Sequence, residues 1–160
     1  MNKFSDKSKG VLDTLDKDLQ LVLIETLAIS VIDFSLIEGY RSPEKQFEYF
    51  KIGREFKNGV WKIVDPGVVV TTIDGNTVKG KHNYCPSQAV DLCIYIPGRP
   101  DLVYDKPHLC YLAGTIISIA EYLYRTNKIT KKIIWGGNWN HNGIIIYDHS
   151  LQDLPHFQTL

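Results

Sequence analysis

No run of apolar residues in this chain is long enough to cross a bilayer, neither sign of charge is in excess, cysteine is scarce, and there is no low-complexity tract. The longest apolar stretch, LVLIETLAISVI at 21–32, is interrupted by Glu25. It falls well short of the roughly 20 residues a spanning helix needs, and it reads as a buried helix face. Lys and Arg number 18 and Asp and Glu also 18. That balance gives no large electropositive surface and argues against nucleic acid as the main partner. The N-terminal MNKFSDKSKG has neither an apolar core nor a small-residue cleavage site, so no secretory signal peptide is visible. The expectation is a protein without a membrane anchor, held in the cytoplasm until another factor releases it. Cys85, Cys93 and Cys110 are odd in number, and their spacing matches neither a disulfide framework nor a thiolate zinc knuckle. They are expected to be buried free thiols.

What is present fits a single domain over 1–160: 44% of the residues are hydrophobic, enough for a core of ordinary size. Leu12, Leu15, Leu19, Val22, Leu23 and Ile29 recur at helical spacing and predict one amphipathic helix over 12–30. Ile32, Phe34 and Leu36 then alternate with Asp33 and Ser35, the period of a half-buried strand leading into Gly39 and Arg41. Ser42-Pro43 with Glu44 is a helix start, and a short helix is predicted to about Ile52. DPG at 65–67 and DGN at 74–76 are turn signals, with 61–64 and 68–72 predicted as paired strands. Further strands are predicted at 88–95, 132–135 and 156–159, with a long helix over 107–126. Helices packed against a small antiparallel sheet make the expected class α+β.

Two segments carry chemistry. In KGKHNYCPSQAVDL at 79–92 a histidine on a loop, His82, precedes Asp91, which Val90 and Leu92 place on a strand. A strand aspartate faces either solvent or a site, because burying it unpaired costs several kcal/mol. Alone, the segment fits a solvated sheet face and an ordinary surface loop. The second segment, ending in DLPHFQ at 153–158, sets Asp153 three residues before His156. Two imidazoles and one carboxylate meet the needs of catalytic zinc, which takes three protein ligands and leaves one position open. Asp153, not itself a ligand, is the candidate to take a proton from water and return it to a leaving amine.

Three blocks, IEGYRSPEKQ at 37–46, KHNYCPSQAVDL at 81–92, and WGGNW at 135–139 with DLPHFQ, occur in the order found in a zinc peptidase family. With FSDKS at 4–8, the chain over nearly its whole length resembles the zinc peptidases that include phage L-alanyl-D-glutamate endopeptidases and bacterial D-alanyl-D-alanine carboxypeptidases. The resemblance implies a zinc site on the open face of the sheet with His82, Asp91 and His156 as ligands, Asp153 as acid/base, and Arg41 as the group that binds substrate and polarises the scissile carbonyl. Arg suits that role because its charge is permanent and its donors form a planar fork. The sequence departs from the family pattern at Gly80, where serine is usual, and at Asn138, where aspartate usually follows WGG. The interval from His82 to Asp91 is also longer, with extra loop residues around Pro86.

The resemblance implies a monomeric peptidoglycan hydrolase acting on the stem peptide, specifically a phage endolysin cutting between L-alanine and D-glutamate once a holin opens the membrane. A D-alanyl-D-alanine carboxypeptidase is the nearest alternative, since only the substrate pocket would differ. A zinc-stabilised wall-binding module without activity is a third reading, and Asp153 argues against it. His108, His141 and His149 match no motif and are assigned to the surface or to packing. The segment from Asn138 to Asp148 has only one carboxylate among Asn138, Asn140, Asn142, Gly143 and Asp148, too little charge for a calcium loop. Trp135 and Phe157 are expected in the core, while Tyr84 and Trp139 can line either core or cleft.

Overall fold

The computed structural model describes residues 2–140, 142–145 and 152–160. Its main sheet has the antiparallel order β1-β4-β6-β5, formed by Phe34–Glu38 (β1), Ala89–Ile94 (β4), Ile133–Trp135 (β5) and His156–Thr159 (β6). Helices α1 (Asp6–Leu12), α2 (Lys17–Ile29) and α4 (Lys106–Arg125) contribute to the core with one face of this sheet, and α3 (Pro43–Lys51) follows β1. The architecture is α+β, as the element pattern predicts. Among the described residues no helix is long and apolar enough to cross a membrane.

Period-2 alternation decides what each strand contributes to the core. Val90, Leu92 and Ile94 of β4, Phe34 and Leu36 of β1, and Phe157 of β6 all join one apolar cluster. From α4 the cluster receives Leu109, Leu112, Ala113, Ile116, Ala120 and Leu123, a stripe at helical spacing. The helix begins where Asp105 accepts a hydrogen bond from the His108 backbone N–H (3.2 Å), with Pro107 in the first turn. His108 Nδ1 also donates to the Asp105 carboxylate, a role at the helix start.

The single helix expected over 12–30 is two helices. Apolar periodicity runs through 13–16, but Asp16 caps α2 by accepting from the Asp18 N–H (3.1 Å), and its own N–H goes to the Ser87 carbonyl (2.8 Å). Thr14 in turn accepts from the Ser87 N–H (2.8 Å). Short polar side chains that bond nearby backbone outcompete helix continuation there, and Leu15 stays buried in the break.

A second correction concerns the expected strand pair 61–64 and 68–72. The hairpin pairs β2 (Arg54–Lys57) with β3 (Val60–Ile63) around Asn58 and Gly59, both at positive φ, the pairing two-residue hairpin turns demand. Asp65 instead starts a single 3-10 turn, Pro66–Val68, by accepting from the Gly67 N–H, and residues 69–73 run on without strand pairing. The three cysteines are free, but only Cys93 is buried; Cys110 is intermediate and Cys85 exposed, on the loop that precedes β4.

Candidate functional site

The register of three strands places a row of polar side chains on the sheet face opposite α1, α2 and α4. Asp91 pairs with Glu38 on one side and with His156 on the other. For Asp91 and His156 this follows from alternation, since their neighbours Val90, Leu92 and Phe157 fill the core. For Glu38 it does not. Glu38 shares sequence parity with Leu36, which is buried in the core, yet the register shifts between them so that Leu36 faces Leu92 and Glu38 faces Asp91. This β-bulge at Ile37 adds one residue to β1 and transfers the chain to the other face.

His82 comes from the 3-10 turn Lys81–Asn83, which is stitched to the end of β1. The Arg41 N–H donates to the His82 carbonyl (2.9 Å), Asn83 Nδ2 donates to the Arg41 carbonyl (2.9 Å), and the Gly80 N–H donates to Asn83 Oδ1 (2.9 Å). The imidazole is then fixed by His82 Nδ1 against the Gly39 carbonyl at 2.7 Å.

Three donor atoms converge on the open face. His82 Nε2 and His156 Nδ1 lie 3.3 Å apart, and Asp91 Oδ1 is 3.4 Å from the first and 2.9 Å from the second. Among the described residues this is the one group of histidine, cysteine, aspartate and glutamate that could hold a metal ion, its ligand atoms all within 4.8 Å of one another. The outer nitrogens settle the tautomers. Nδ1 of His82 donates to the Gly39 carbonyl, and Nε2 of His156 donates to Gln158 Oε1 at 3.0 Å, so that in the neutral form of each imidazole the lone pair sits on the inner nitrogen. When both imidazoles are neutral, two lone pairs and a carboxylate face one point, an arrangement that a cation holds together. The donor set therefore fits a divalent metal with an open position.

Without a cation, protons on the inner nitrogens pair these groups with one another instead. Burial pushes the Asp91 carboxyl up, but hydrogen bonds from His156 and His82 outweigh it and hold the group well below the usual carboxylate range. Burial works against charge on His156, and Asp91 more than restores it, raising the imidazole. For Asp153, burial dominates and raises the carboxyl, with His156 opposing.

Arg41 is held on four sides. Its Nε (3.0 Å) and Nη2 donate to Glu38, Nη2 also reaches Asp91 Oδ2 (3.4 Å), Nη1 donates to Gln46 Oε1 (2.9 Å), and the guanidinium lies 4.8 Å from the centre of the Tyr49 ring. Desolvation raises the Glu38 carboxyl, but Arg41 and then Lys45 hold it below its ordinary value. Buried Gln46 in turn donates to the Ile73 carbonyl (2.9 Å), tying Arg41 to the segment 69–73.

Asp153 reaches the site through backbone contacts. Its N–H donates to the Gly136 carbonyl (3.1 Å) and its carbonyl accepts from the His156 N–H (3.1 Å). A Cβ on Gly136 would lie 2.2 Å from the Asp153 carbonyl oxygen, so the approach needs glycine. Trp139 tilts over the His156 ring at 5.5 Å. Together Glu38, Arg41, His82, Asp91, Trp139, Asp153 and His156 line one cleft of about 650 Å³, whose other wall includes Tyr49, Ile52 and residues 69–73.

A family model for phage L-alanyl-D-glutamate peptidases matches residues 1–160. The chain belongs to this family. The chain also shares a fold with a solved structure, that of the Serratia marcescens L-Ala D-Glu endopeptidase ChiX. The TM-score is 0.61 at 21% identity, over 99% of this chain and 90% of that one.

In this peptidase the structure brings all five sequence-derived site residues to one cleft. Trp135 and Phe157 are core, Trp139 is at the cleft, and Tyr84 is exposed and outside its lining. Of the segment weighed for calcium, His141 and Asp148 lie outside the described residues, as does His149. The sequence reading missed Glu38, Gln46, Tyr49, Gln158 and the wall at 69–73. Gln158 was within reach, because alternation places it on the same face as His156.

Proposed function

We propose that the chain is a zinc endopeptidase that cuts the peptidoglycan stem peptide between L-alanine and D-glutamate, serves as a phage endolysin, and acts as a single-domain monomer. One observation carries the reading: two imidazole nitrogens and a carboxylate oxygen converge on the open face of the sheet, in the same cleft as Asp153 and Arg41.

Zinc bound by His82, Asp91 and His156 would supply Lewis acidity that brings the pKa of water down to about 7. Gly39 and Gln158 hold the two imidazoles in the ligating tautomer, and Arg41 steadies the outer oxygen of Asp91. Asp153 takes the proton of the attacking water and delivers it to the amine of D-glutamate as the bond breaks. Its partly buried setting, which disfavours the ionised form, suits both halves of that task. Of the five N–H donors of Arg41, one on Nη1 is left over from Glu38, Asp91 and Gln46, and it serves the scissile carbonyl as negative charge develops there. Trp139 and residues 69–73 narrow the cleft around an extended peptide.

Mass spectrometry of fragments released from purified Gram-negative peptidoglycan, with chelator and with zinc restored, tests this reading. New L-alanine carboxyl and D-glutamate amino ends that vanish with chelator and return with zinc are expected. Release of free D-alanine would make it a carboxypeptidase, and no cleavage under any condition would leave a binding module.

A further inference from the structure

The residues lining the cleft include two basic ones, Arg41 and Lys81, and their side chains are engaged very differently. Arg41 gives its donors to Glu38, Asp91 and Gln46. Lys81 is half-buried on the turn that carries His82, its backbone fixed because its carbonyl accepts from the Gln88 N–H at 3.0 Å. Its ammonium donates to Gln88 Oε1 at 3.2 Å, a neutral amide, and among the described residues it meets no carboxylate.

The substrate of the family brings a carboxylate to this place. Glutamate has two carboxyl groups, and a chain that continues through one leaves the other ionised, a few bonds from the nitrogen released by the cut. In the cleft Glu38, Asp91 and Asp153 already offset Arg41 and the proposed zinc, so a further carboxylate needs a cation of its own. Arg41 is largely committed. Lys81, next to a metal ligand, with three donors on a flexible stem and only an amide to surrender, is the remaining candidate.

We infer that Lys81 is a specificity-determining residue whose ammonium binds the free carboxylate of the D-glutamate residue on the leaving side of the scissile bond. This rests on the cleavage position proposed above. The side chain reads the substrate and does not move a proton, so its effect falls on the choice between substrates.

Competition between two stem peptides, one with that carboxylate free and one with it converted to the carboxamide, gives the ratio of their kcat/KM values by mass spectrometry. The wild-type protein is expected to favour the free carboxylate by about 10- to 100-fold, the scale of a hydrogen bond to a charged group. Lys81→Met should bring the ratio close to one and Lys81→Arg should keep most of it, with metal content measured on each variant to show an intact ligand set. A wild-type protein that cuts both peptides alike, or a Lys81→Met variant that retains the preference, overturns this proposal alone. Cleavage of neither peptide by the wild type overturns the proposed reaction, and the role of Lys81 with it.

Discussion

Phe157 and His156 are adjacent in β6 and belong to different problems. Phe157 points into a cluster built from three helices and four strands, where many apolar neighbours share the work of excluding water. His156 points the other way, to a site where each atom has one or two partners and a small displacement breaks the set. The helix-backed face has redundancy and the open face has none. Stability and chemistry are thereby assigned to alternate residues of the same strands.

The largest effects should come from crossing that divide. His156→Ala is expected to abolish cleavage and metal binding, while the metal-free variant unfolds in denaturant close to the metal-free parent. Phe157→Ala should do the reverse, costing about 3–5 kcal/mol of stability while the fraction still folded binds metal. If the histidine variant proved as unstable as the phenylalanine variant, the two faces would not be separable.

Gly136→Ala probes how finely the open face is set. The added methyl meets the Asp153 carbonyl and must displace it. A shift near 1 Å can cost roughly 100-fold in rate, so kcat should fall on that scale with metal stoichiometry retained. Unchanged kcat would show that Asp153 tolerates movement, contrary to a positioned proton carrier.

A smaller effect is expected at Glu38. Its carboxyl is held below the ordinary value of 4.5, so its contribution is present at pH above that value and is lost as pH falls through the lower, folded-state value. Glu38→Gln should therefore cost about 1–3 kcal/mol at neutral pH, with the deficit shrinking on acidification. Chemical denaturation of both proteins at several pH values measures it, and a deficit independent of pH would remove the ion pair with Arg41 as its cause. Smallest of all, Tyr84→Ala, exposed and outside the cleft lining, should leave activity within about twofold and stability within about 0.5 kcal/mol.

The same contrast explains what could be read from the amino-acid sequence. Core strands and α4 were legible because burial imposes a period, as the alternation of Val90, Leu92 and Ile94 around Asp91 illustrates. The ligand set was legible because few residue types bind metal and the flanking blocks resemble a known family. The break before α2 was not, because the leucine spacing continues across it and the decision lies with Asp16 and its bond to distant Ser87. The hairpin turn is marked by Asn58-Gly59, but DPG at 65–67 is a second strong turn signal a few residues on, and local chemistry does not rank the two. Glu38 was hidden more deeply. Alternation assigns it to the core face with Leu36, and only the bulge, a property of the pairing with β4, reverses that.

Anomalous diffraction at the zinc edge, from crystals of the protein grown with zinc, tests the central claim most directly. One peak is expected, about 2.0–2.2 Å from His82 Nε2, His156 Nδ1 and an Asp91 oxygen. A strong peak held by other residues, or none at this group in zinc-loaded crystals, would contradict the assignment of the metal to the open face of the sheet.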